Sequence, residues 1–293
     1  MKVHYSFDDF DQIKNPVVTT GTFDGVHIGH MVILNRLKQL AAEINGESVL
    51  ITFHPHPRKV LFPDKTKDLK LINTQREKNH LLQEAGLDRL FIINFTLEFS
   101  KTTSHDFVNK ILLEKLGAKI IIVGFNHHFG HNREGDYSYL YKLADEKNFK
   151  VEEIPEQDIE NEAVSSTRIR KAISEGHIMR ANAYLNHQYF IFGNIRNLSK
   201  YYFVEIEEKD KLLPPTGTYA ARIKQNQAEA KCLAVVDNQE MFVQVIFSEE
   251  FTPKKGELSE LYFHKRVNLY DDVHNLRETD LQEDFKIVNE LIY

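Results

Sequence analysis

The chain has 293 residues, of which 42% are hydrophobic and 27% charged, and its net charge at pH 7 is −6. This length exceeds what one compact core usually spans, so we expect two domains. The acidic charge argues against a general nucleic-acid-binding protein, because such proteins neutralise phosphates with Lys and Arg. It remains compatible with a small anionic ligand, since a pocket can be positive on an acidic protein.

Membrane insertion and thiol chemistry are both disfavoured. Every apolar run is too short to cross a bilayer, and the first residues lack the apolar core of a signal peptide. We therefore expect a cytoplasmic protein without a membrane partner. Cys232 is the single cysteine, which excludes an internal disulfide and a thiolate-rich zinc site.

Strand and helix patterns alternate over the first 185 residues. Strands are predicted at residues 17–20, 49–53, 90–95, 119–124 and 150–154, and apolar positions with helical spacing lie between them. Thr74 and Glu77 match a capping box, and Ser104 is the expected N-cap of a later helix. This alternation predicts an α/β, Rossmann-like domain in which helices cover both faces of a parallel sheet. Ligands of such sheets bind at the carboxyl ends of the strands.

The pattern changes near residue 186, where short strand-like segments begin to follow one another without helices. These segments are residues 189–192, 201–207, 217–223, 232–236, 241–247 and 260–263. They predict a small β-barrel, and residues 280–293 predict a helix packed on it. The expected domains are therefore residues 1–185 and residues 186–293.

The segment between the first predicted strand and the first helix has the composition of an anion-binding loop. It reads Gly21, Thr22, Phe23, Asp24, Gly25, Val26, His27, Ile28, Gly29, His30. The glycines allow a close approach of the backbone to a ligand, and the helix start offers free N–H groups to an anion. His27 and His30 are three residues apart, so both rings can face one phosphate. A structural turn and a zinc site are the alternatives, and the zinc site lacks the Glu of a metalloprotease motif.

Three further segments carry polar groups suited to a nucleotide. One segment lies at the end of the second predicted strand, where the prolines hold the two histidines extended; it reads Thr52, Phe53, His54, Pro55, His56, Pro57, Arg58. Asn126 follows the fourth strand between Gly124 and Gly130. Ser165, Ser166, Thr167 and Arg168 precede a short helix, where hydroxyls often serve only as caps but a guanidinium suits phosphate oxygens. Together these segments indicate nucleotide phosphates.

The four segments in this order resemble the prokaryotic bifunctional riboflavin kinase/FAD synthetase family. Residues 21–30 are similar to its His-x-Gly-His motif, residues 52–57 to Thr-Phe-x-Pro-His-Pro, residues 124–130 to Gly-x-(Asp/Asn)-x-x-Phe-Gly, and residues 165–170 to Ser-Ser-Thr-x-Ile-Arg. The resemblance spans roughly residues 15–186. It implies adenylyl transfer from ATP to FMN, with both as substrates and with Mg²⁺ held mainly by the ATP phosphates.

The resemblance also implies roles for individual residues. His27, His30 and Arg168 would act on the triphosphate as catalytic residues. Gly21, Thr22, Phe23, Asp24, Gly25, Asn126, Ser166 and Thr167 would bind ATP, and Phe53, His56, Pro57 and Arg58 would form the FMN end of the cleft. The sequence indicates no oligomeric state.

The second half departs from the family. The Gly-Phe-Pro-Thr-Ala-Asn stretch that binds Mg²⁺ in the family's kinase module occurs nowhere, and residues 193–203 occupy its region. Gln244 aligns with the family's catalytic Glu, and an amide cannot accept the proton of the riboflavin hydroxyl as a carboxylate can. We therefore expect a kinase-like barrel without kinase activity. The alternatives are a fully bifunctional enzyme, a transferase for another phosphorylated acceptor, and a non-catalytic flavin-binding regulatory protein.

Overall fold

The structure is a computed structural model that describes residues 1–159, 162–198, 201–247, 251–254 and 256–292. The chain forms two compact units. Unit 1 comprises Met1–Leu69 and Lys78–Val164, and unit 2 comprises Lys70–Glu77 and Ser165–Tyr293. The domain boundary expected at residue 186 stays a prediction.

Unit 1 contains a six-stranded parallel sheet. Its strands, in chain order, are β1 (Lys2–His4), β2 (Val17–Thr20), β3 (Ser48–His54), β4 (Arg89–Asn94), β5 (Ile120–Gly124) and β6 (Lys150–Ile154). The spatial order is β1-β4-β3-β2-β5-β6. Val17 of β2 lies opposite Ser48 of β3 on one side and Ile120 of β5 on the other. The carboxyl ends of these three central strands are therefore neighbours. A short hairpin, β7 (Asp158–Ile159) with β8 (Glu162–Ala163), follows β6.

Helices cover both faces of this sheet. The α-helices between its strands are α1 (Ile28–Glu43), α2 (Pro57–Leu61), α3 (Gln75–Glu84), α4 (Ser104–Asp106), which continues as a π-helix (Phe107–Lys115), and α5 (Tyr137–Lys147). Val49 and Ile51 belong to one buried apolar cluster and Leu50 to another, so β3 alternates between two cores. This arrangement confirms the predicted Rossmann-like architecture.

Unit 2 contains a closed antiparallel barrel. Its strands are β9 (Tyr189–Leu198), β10 (Tyr201–Ile206), β11 (Gly217–Gln225), β12 (Ala228–Asp237), β13 (Phe242–Phe247) and β14 (Leu258–Leu269), in the order β10-β13-β12-β11-β14-β9. Helices α6 (Ser166–Ser174) and α7 (Ile178–Leu185) precede the barrel, and α8 (Glu278–Leu291) follows it. Val288 of α8 packs in one apolar cluster with Ala220, Leu233 and Val235. The predicted barrel with a C-terminal helix is confirmed.

Several predicted bounds were wrong. Thr103, and not Ser104, is the N-cap of α4, since its side chain accepts from the Asp106 N–H. The last helix begins at Glu278 and ends at Leu291, and residue 293 lies outside the described residues. The strand expected from residue 241 begins one residue later, because Met241 adopts a positive φ of 56° in the preceding turn. Strand β1 and helices α2 and α7 were not predicted.

The capping box at the start of α3 is confirmed. The Glu77 N–H donates to Thr74 Oγ1 at 3.2 Å, and the Thr74 N–H donates to Glu77 Oε2 at 2.9 Å. Both side chains are buried. These two bonds satisfy donors that the first turn of a helix otherwise leaves without partners.

Candidate active site

The predicted nucleotide loop, residues 21–30, leaves the carboxyl end of the central strand β2. The Gly21 N–H donates to the Ile51 carbonyl at 3.0 Å, which ties the start of the loop to β3. Phe23 and Val26 adopt φ values of 48° and 41°, and Gly25 between them has φ 93°. A left-handed conformation at a bulky or β-branched residue costs free energy, and such strain collects at functional sites. The loop is thus held in a conformation that its own residues do not favour.

The two histidines of this loop lie against each other. The ring centroids of His27 and His30 are 3.7 Å apart with an interplanar angle of 20°, and Phe23 stacks on His30 at 4.4 Å. Burial is the main reason that the pKa of His30 lies well below its usual range, and the neighbouring His27 and Lys78 add to the effect. His30 is therefore a neutral imidazole near pH 7, with one N–H donor and one acceptor nitrogen.

Helix α1 begins within the same loop. His27 is its N-cap and makes no capping hydrogen bond with its side chain. The first N–H groups of a helix have no intrahelical acceptor, and they carry the positive end of the helix dipole. An anion placed at this helix start would meet both the N–H groups and the imidazoles. This is the arrangement in which proteins bind phosphate groups.

Lys78 is hydrogen-bonded to the nucleotide loop, and the sequence analysis did not identify it as a site residue. Its side chain is 8% exposed, and its Nζ donates to the Thr22 carbonyl at 3.2 Å and to Thr52 Oγ1 at 3.3 Å. Thr52 Oγ1 also donates to the Thr22 carbonyl at 3.2 Å. No feature of the sequence signals this contact, because a lysine next to a capping box is usually solvated.

The second predicted segment, residues 52–58, begins in the last part of β3 and continues into α2. Phe53 packs against Phe95 and Phe99 with centroid distances of 5.5 and 5.7 Å, which forms an aromatic cluster beside the ends of β3 and β4. His56 is the N-cap of α2, and its Nδ1 accepts from the Arg58 N–H at 3.2 Å. Pro57 and Arg58 are the first residues of that short helix. His54 ends β3 and His56 has φ −59° and ψ 130°, so both histidines are extended, as the two prolines predicted.

The third segment follows β5 and is fixed by its glycines. Gly130 has φ 75°, and a Cβ there would lie 2.5 Å from the Ser104 nitrogen. Phe129 and Gly135 form an antiparallel bridge that closes the loop. Asn126 is exposed on this loop. The pKa of the neighbouring His127 is lowered to about 4, chiefly by burial and then by the charges of His128 and Arg133. Because β5 is next to β2, the loop starts beside the nucleotide loop.

The fourth segment, from Ser165 onward, belongs to unit 2. Ser165 is the N-cap of α6, and its Oγ accepts from the Arg168 N–H at 3.4 Å. Ser166, Thr167 and Arg168 form the first turn of this helix, where Thr167 and Arg168 are exposed. The role of these residues toward the triphosphate stays a prediction.

The barrel of unit 2 places Gln244 in the middle of β13. Gln244 is half-buried and lies opposite Phe203 of β10 and Val235 of β12. A cavity of about 680 Å³ lies near it between β10, β13 and α8, and its lining includes Tyr202, Phe247 and Phe285. The region that corresponds to the family's kinase metal loop includes Asn194 and Arg196. Both are regular residues of β9 that pair with β10. Ser199 and Lys200 lie outside the described residues.

Metal-binding geometry is sparse in the described part of the chain. The single group of three possible ligands found there is Asp237, Glu240 and His274, which belongs to the barrel unit. The nucleotide loop thus offers no protein-built metal centre among the described residues. This donor set fits a metal ion that arrives on the phosphates of a nucleotide. Among the same residues, no helix is long and apolar enough to span a bilayer.

Residues 21–30, which resemble the His-x-Gly-His motif of nucleotidyltransferases, thus form a strained loop at the end of a central strand, with two stacked histidines at a helix start. Residues 10–168, more than half of the chain, match the model of the FAD synthetase family. The chain belongs to that family.

Two curated relatives and one solved structure extend the comparison. A bifunctional riboflavin kinase/FMN adenylyltransferase of Listeria monocytogenes is 28% identical over 86% of this chain and 83% of the relative. An FAD synthetase of the same organism is 31% identical over 83% of this chain and 93% of the relative. A crystal structure described as a macrolide-efflux protein from Streptococcus pneumoniae covers 98% of both chains with a TM-score of 0.85 and 22% identity, which shows the fold.

Proposed function

We propose that the chain transfers the adenylyl group of ATP to FMN and releases FAD and pyrophosphate. The observation that carries this proposal is the stacked pair of His27 and His30 at the start of α1, in a strained loop at the carboxyl end of β2. Family membership supports the choice of FMN as the acceptor, because both Listeria relatives are named for FAD or FMN adenylyl chemistry.

The reaction needs alignment more than it needs a base. An oxygen of the FMN phosphate forms a bond to the α-phosphorus of ATP, and the bond from that phosphorus to the bridging oxygen of pyrophosphate breaks. The attacking oxygen is already anionic near pH 7, so catalysis comes from positioning and charge neutralisation. Neutral His30 donates its N–H to a phosphate oxygen, and the helix start of α1 stabilises the negative charge.

The remaining site residues keep the roles that the sequence analysis gave them. Gly21, Thr22, Phe23, Asp24 and Gly25 line ATP, together with Asn126, Ser166 and Thr167. Arg168 binds the triphosphate as a catalytic residue. Phe53, His56, Pro57 and Arg58 form the FMN end, and the aromatic cluster of Phe53 supports this, since a flavin ring stacks well on phenyl groups.

Mg²⁺ enters with ATP in this proposal. When bound, it shields the charge of the departing pyrophosphate. The groups that the protein itself contributes to binding the triphosphate are the imidazoles of His27 and His30, the start of α1 and Arg168.

We also propose that residues 1–185 carry the adenylyl transfer and that the barrel of residues 186–293 lacks riboflavin kinase activity. Gln244 in place of a carboxylate supports this, as does the regular β9–β10 pairing of Asn194 and Arg196. An amide side chain stays neutral and cannot take a proton from a hydroxyl.

A chromatographic assay tests the proposal. The protein is incubated with ATP and Mg²⁺, with FMN in one reaction and riboflavin in the other, and we expect FAD from the first and no product from the second. His30→Gln should lower FAD formation at least about 100-fold while the fold is retained. The control is His105→Gln, an exposed histidine whose side chain is 69% accessible, and it should have wild-type activity.

Absence of FAD from the wild-type reaction would refute the proposal. FMN formed from riboflavin would instead establish the bifunctional enzyme. Adenylyl transfer to a different phosphorylated acceptor, competing with FMN, would redirect the substrate assignment and leave the reaction class standing.

A further inference from the structure

We propose that Lys78 is a positioning residue for the adenylyl transfer, which fixes the nucleotide loop through its hydrogen bonds to the Thr22 carbonyl and to Thr52 Oγ1. The inference rests on the proposed function, because it assigns Lys78 a task in that same site. Lys78 lies on α3, outside the segments that the motifs mark.

The first argument is the hydrogen bonding of Lys78. Its Nζ donates to the carbonyl oxygen of Thr22 inside the nucleotide loop and to Thr52 Oγ1 at the end of β3. Thr52 Oγ1 donates to the same carbonyl. One carbonyl of the loop is thus held by two donors from two different elements, directly before the left-handed residue Phe23.

The second argument is the strain of the loop. Phe23 and Val26 occupy left-handed conformations, with φ values of 48° and 41°, and such conformations persist only where the surroundings hold them. Phe23 also stacks on His30, so the backbone at Thr22 helps to set where that imidazole lies. Releasing the Thr22 carbonyl would therefore move the ring that is proposed to bind a phosphate.

The third argument is electrostatic. The charge of Lys78 is felt at His30, where it adds to burial and to His27 in lowering the pKa of the imidazole. A lysine that is 8% exposed is shielded little by solvent, so its charge acts on neighbouring groups more strongly than a surface lysine would. Lys78 thereby favours the neutral form of His30 before ATP binds.

The hydrogen-bonding and electrostatic effects of Lys78 can be separated by two substitutions. Lys78→Met removes the charge and the donors while it keeps an unbranched side chain of similar length. Lys78→Gln removes the charge but keeps an N–H donor that can reach toward the Thr22 carbonyl. Lys142→Met, at an exposed position of α5, is the matched control.

We expect Lys78→Met to lower kcat by roughly 10- to 100-fold, the cost of misplacing a group at the reacting centre by up to about 1 Å. The KM for ATP should change by less than about threefold, because the inference gives Lys78 a task in holding the loop and none in binding ATP. Lys78→Gln should lie between Lys78→Met and the wild type in kcat, and Lys142→Met should match the wild type.

NMR titration of the histidine side chains provides a readout that a purely structural role would not change. In both Lys78 variants the titration midpoint of His30 should move upward, toward the ordinary value of 6.5, because a positive neighbour has been removed. His30→Gln assigns the resonance. This measurement needs no acceptor substrate, so it tests Lys78 even if FMN is the wrong acceptor.

A folded Lys78→Met variant with wild-type kcat, or with an unmoved His30 midpoint, would overturn the inference. If Lys78→Met does not fold, Lys78→Gln decides in the same way. A wild-type protein that makes no FAD, combined with an upward shift of His30 in the variants, would refute the proposed function and retain the electrostatic role of Lys78.

Discussion

The buried ion pair of Lys211 and Glu77 gives a sharp test of what stabilises unit 2. Neither side chain is exposed, and Lys211 Nζ lies 2.6 Å from Glu77 Oε2. The same Nζ donates to the carbonyls of Ile72 and Phe190, both at 2.7 Å, so each of its three N–H groups has an acceptor. Glu77 Oε1 accepts from the Phe192 N–H at 2.8 Å. The pair is therefore fully hydrogen-bonded, which a buried pair needs in order to persist.

Lys211→Met would leave the Glu77 carboxylate buried without its counter-charge. Removing one partner of such a pair costs about 3–5 kcal/mol. With a urea dependence of about 2 kcal/mol per molar, the unfolding midpoint of unit 2 should fall by roughly 2 M. The double variant Lys211→Met/Glu77→Gln has no stranded charge, so it should be more stable than Lys211→Met alone.

Urea unfolding followed by far-UV circular dichroism suits the measurement, since the chain has no tryptophan. Lys209→Met, an exposed position two residues away, serves as the control and should leave the midpoint unchanged. The reasoning fails if Lys211→Met shifts the midpoint no more than the control, or if the double variant is less stable than Lys211→Met.

Three further predictions concern other sites. Cys232 is buried and burial raises the pKa of its thiol, so a thiol reagent such as dithionitrobenzoate should react after unfolding in urea but not with the native protein. Because the pKa of His127 is lowered to about 4, only the unfolded state gains a proton at that residue between pH 6.5 and 4. Wild-type stability should fall over that range, and His127→Phe should weaken the dependence when urea midpoints at pH 7 and 4.5 are compared. Gly130→Ala should cost more stability than Gly117→Ala, since both have a positive φ but a Cβ at Gly117 meets nothing within 4 Å; equal thermal shifts would contradict the expected clash with Ser104.

The alternating architecture could be predicted because its strands are short apolar runs. Val49, Leu50 and Ile51 face two cores in turn, and such runs are readable without tertiary information. Strand β1 could not be read in the same way. It has three residues, Lys2 to His4, and it gains its strand conformation from pairing with β4, whose paired residues lie 87 positions later in the chain.

The candidate site was predictable where it depends on local spacing. The separation of three residues at a helix start predicted that His27 and His30 could share a ligand, and the rings do lie together. The roles of Lys78 and Lys211 could not be predicted, because the residues that each lysine contacts are distant in the sequence. Lys211 and Glu77 are 134 residues apart, and no sequence pattern distinguishes such a lysine from a solvated one.

The parallel sheet and the barrel differ in whether they have exposed edge strands, and exposed edges are where copies of a chain can pair. Each barrel strand has a neighbour on both sides, so the barrel presents no free edge. The parallel sheet ends in β1, which is three residues long and begins with Lys2, and in β6, where Lys150, Glu152 and Glu153 carry charge. Short or charged borders are poor templates for an incoming strand. The parallel sheet and the barrel are thereby guarded against edge-to-edge aggregation.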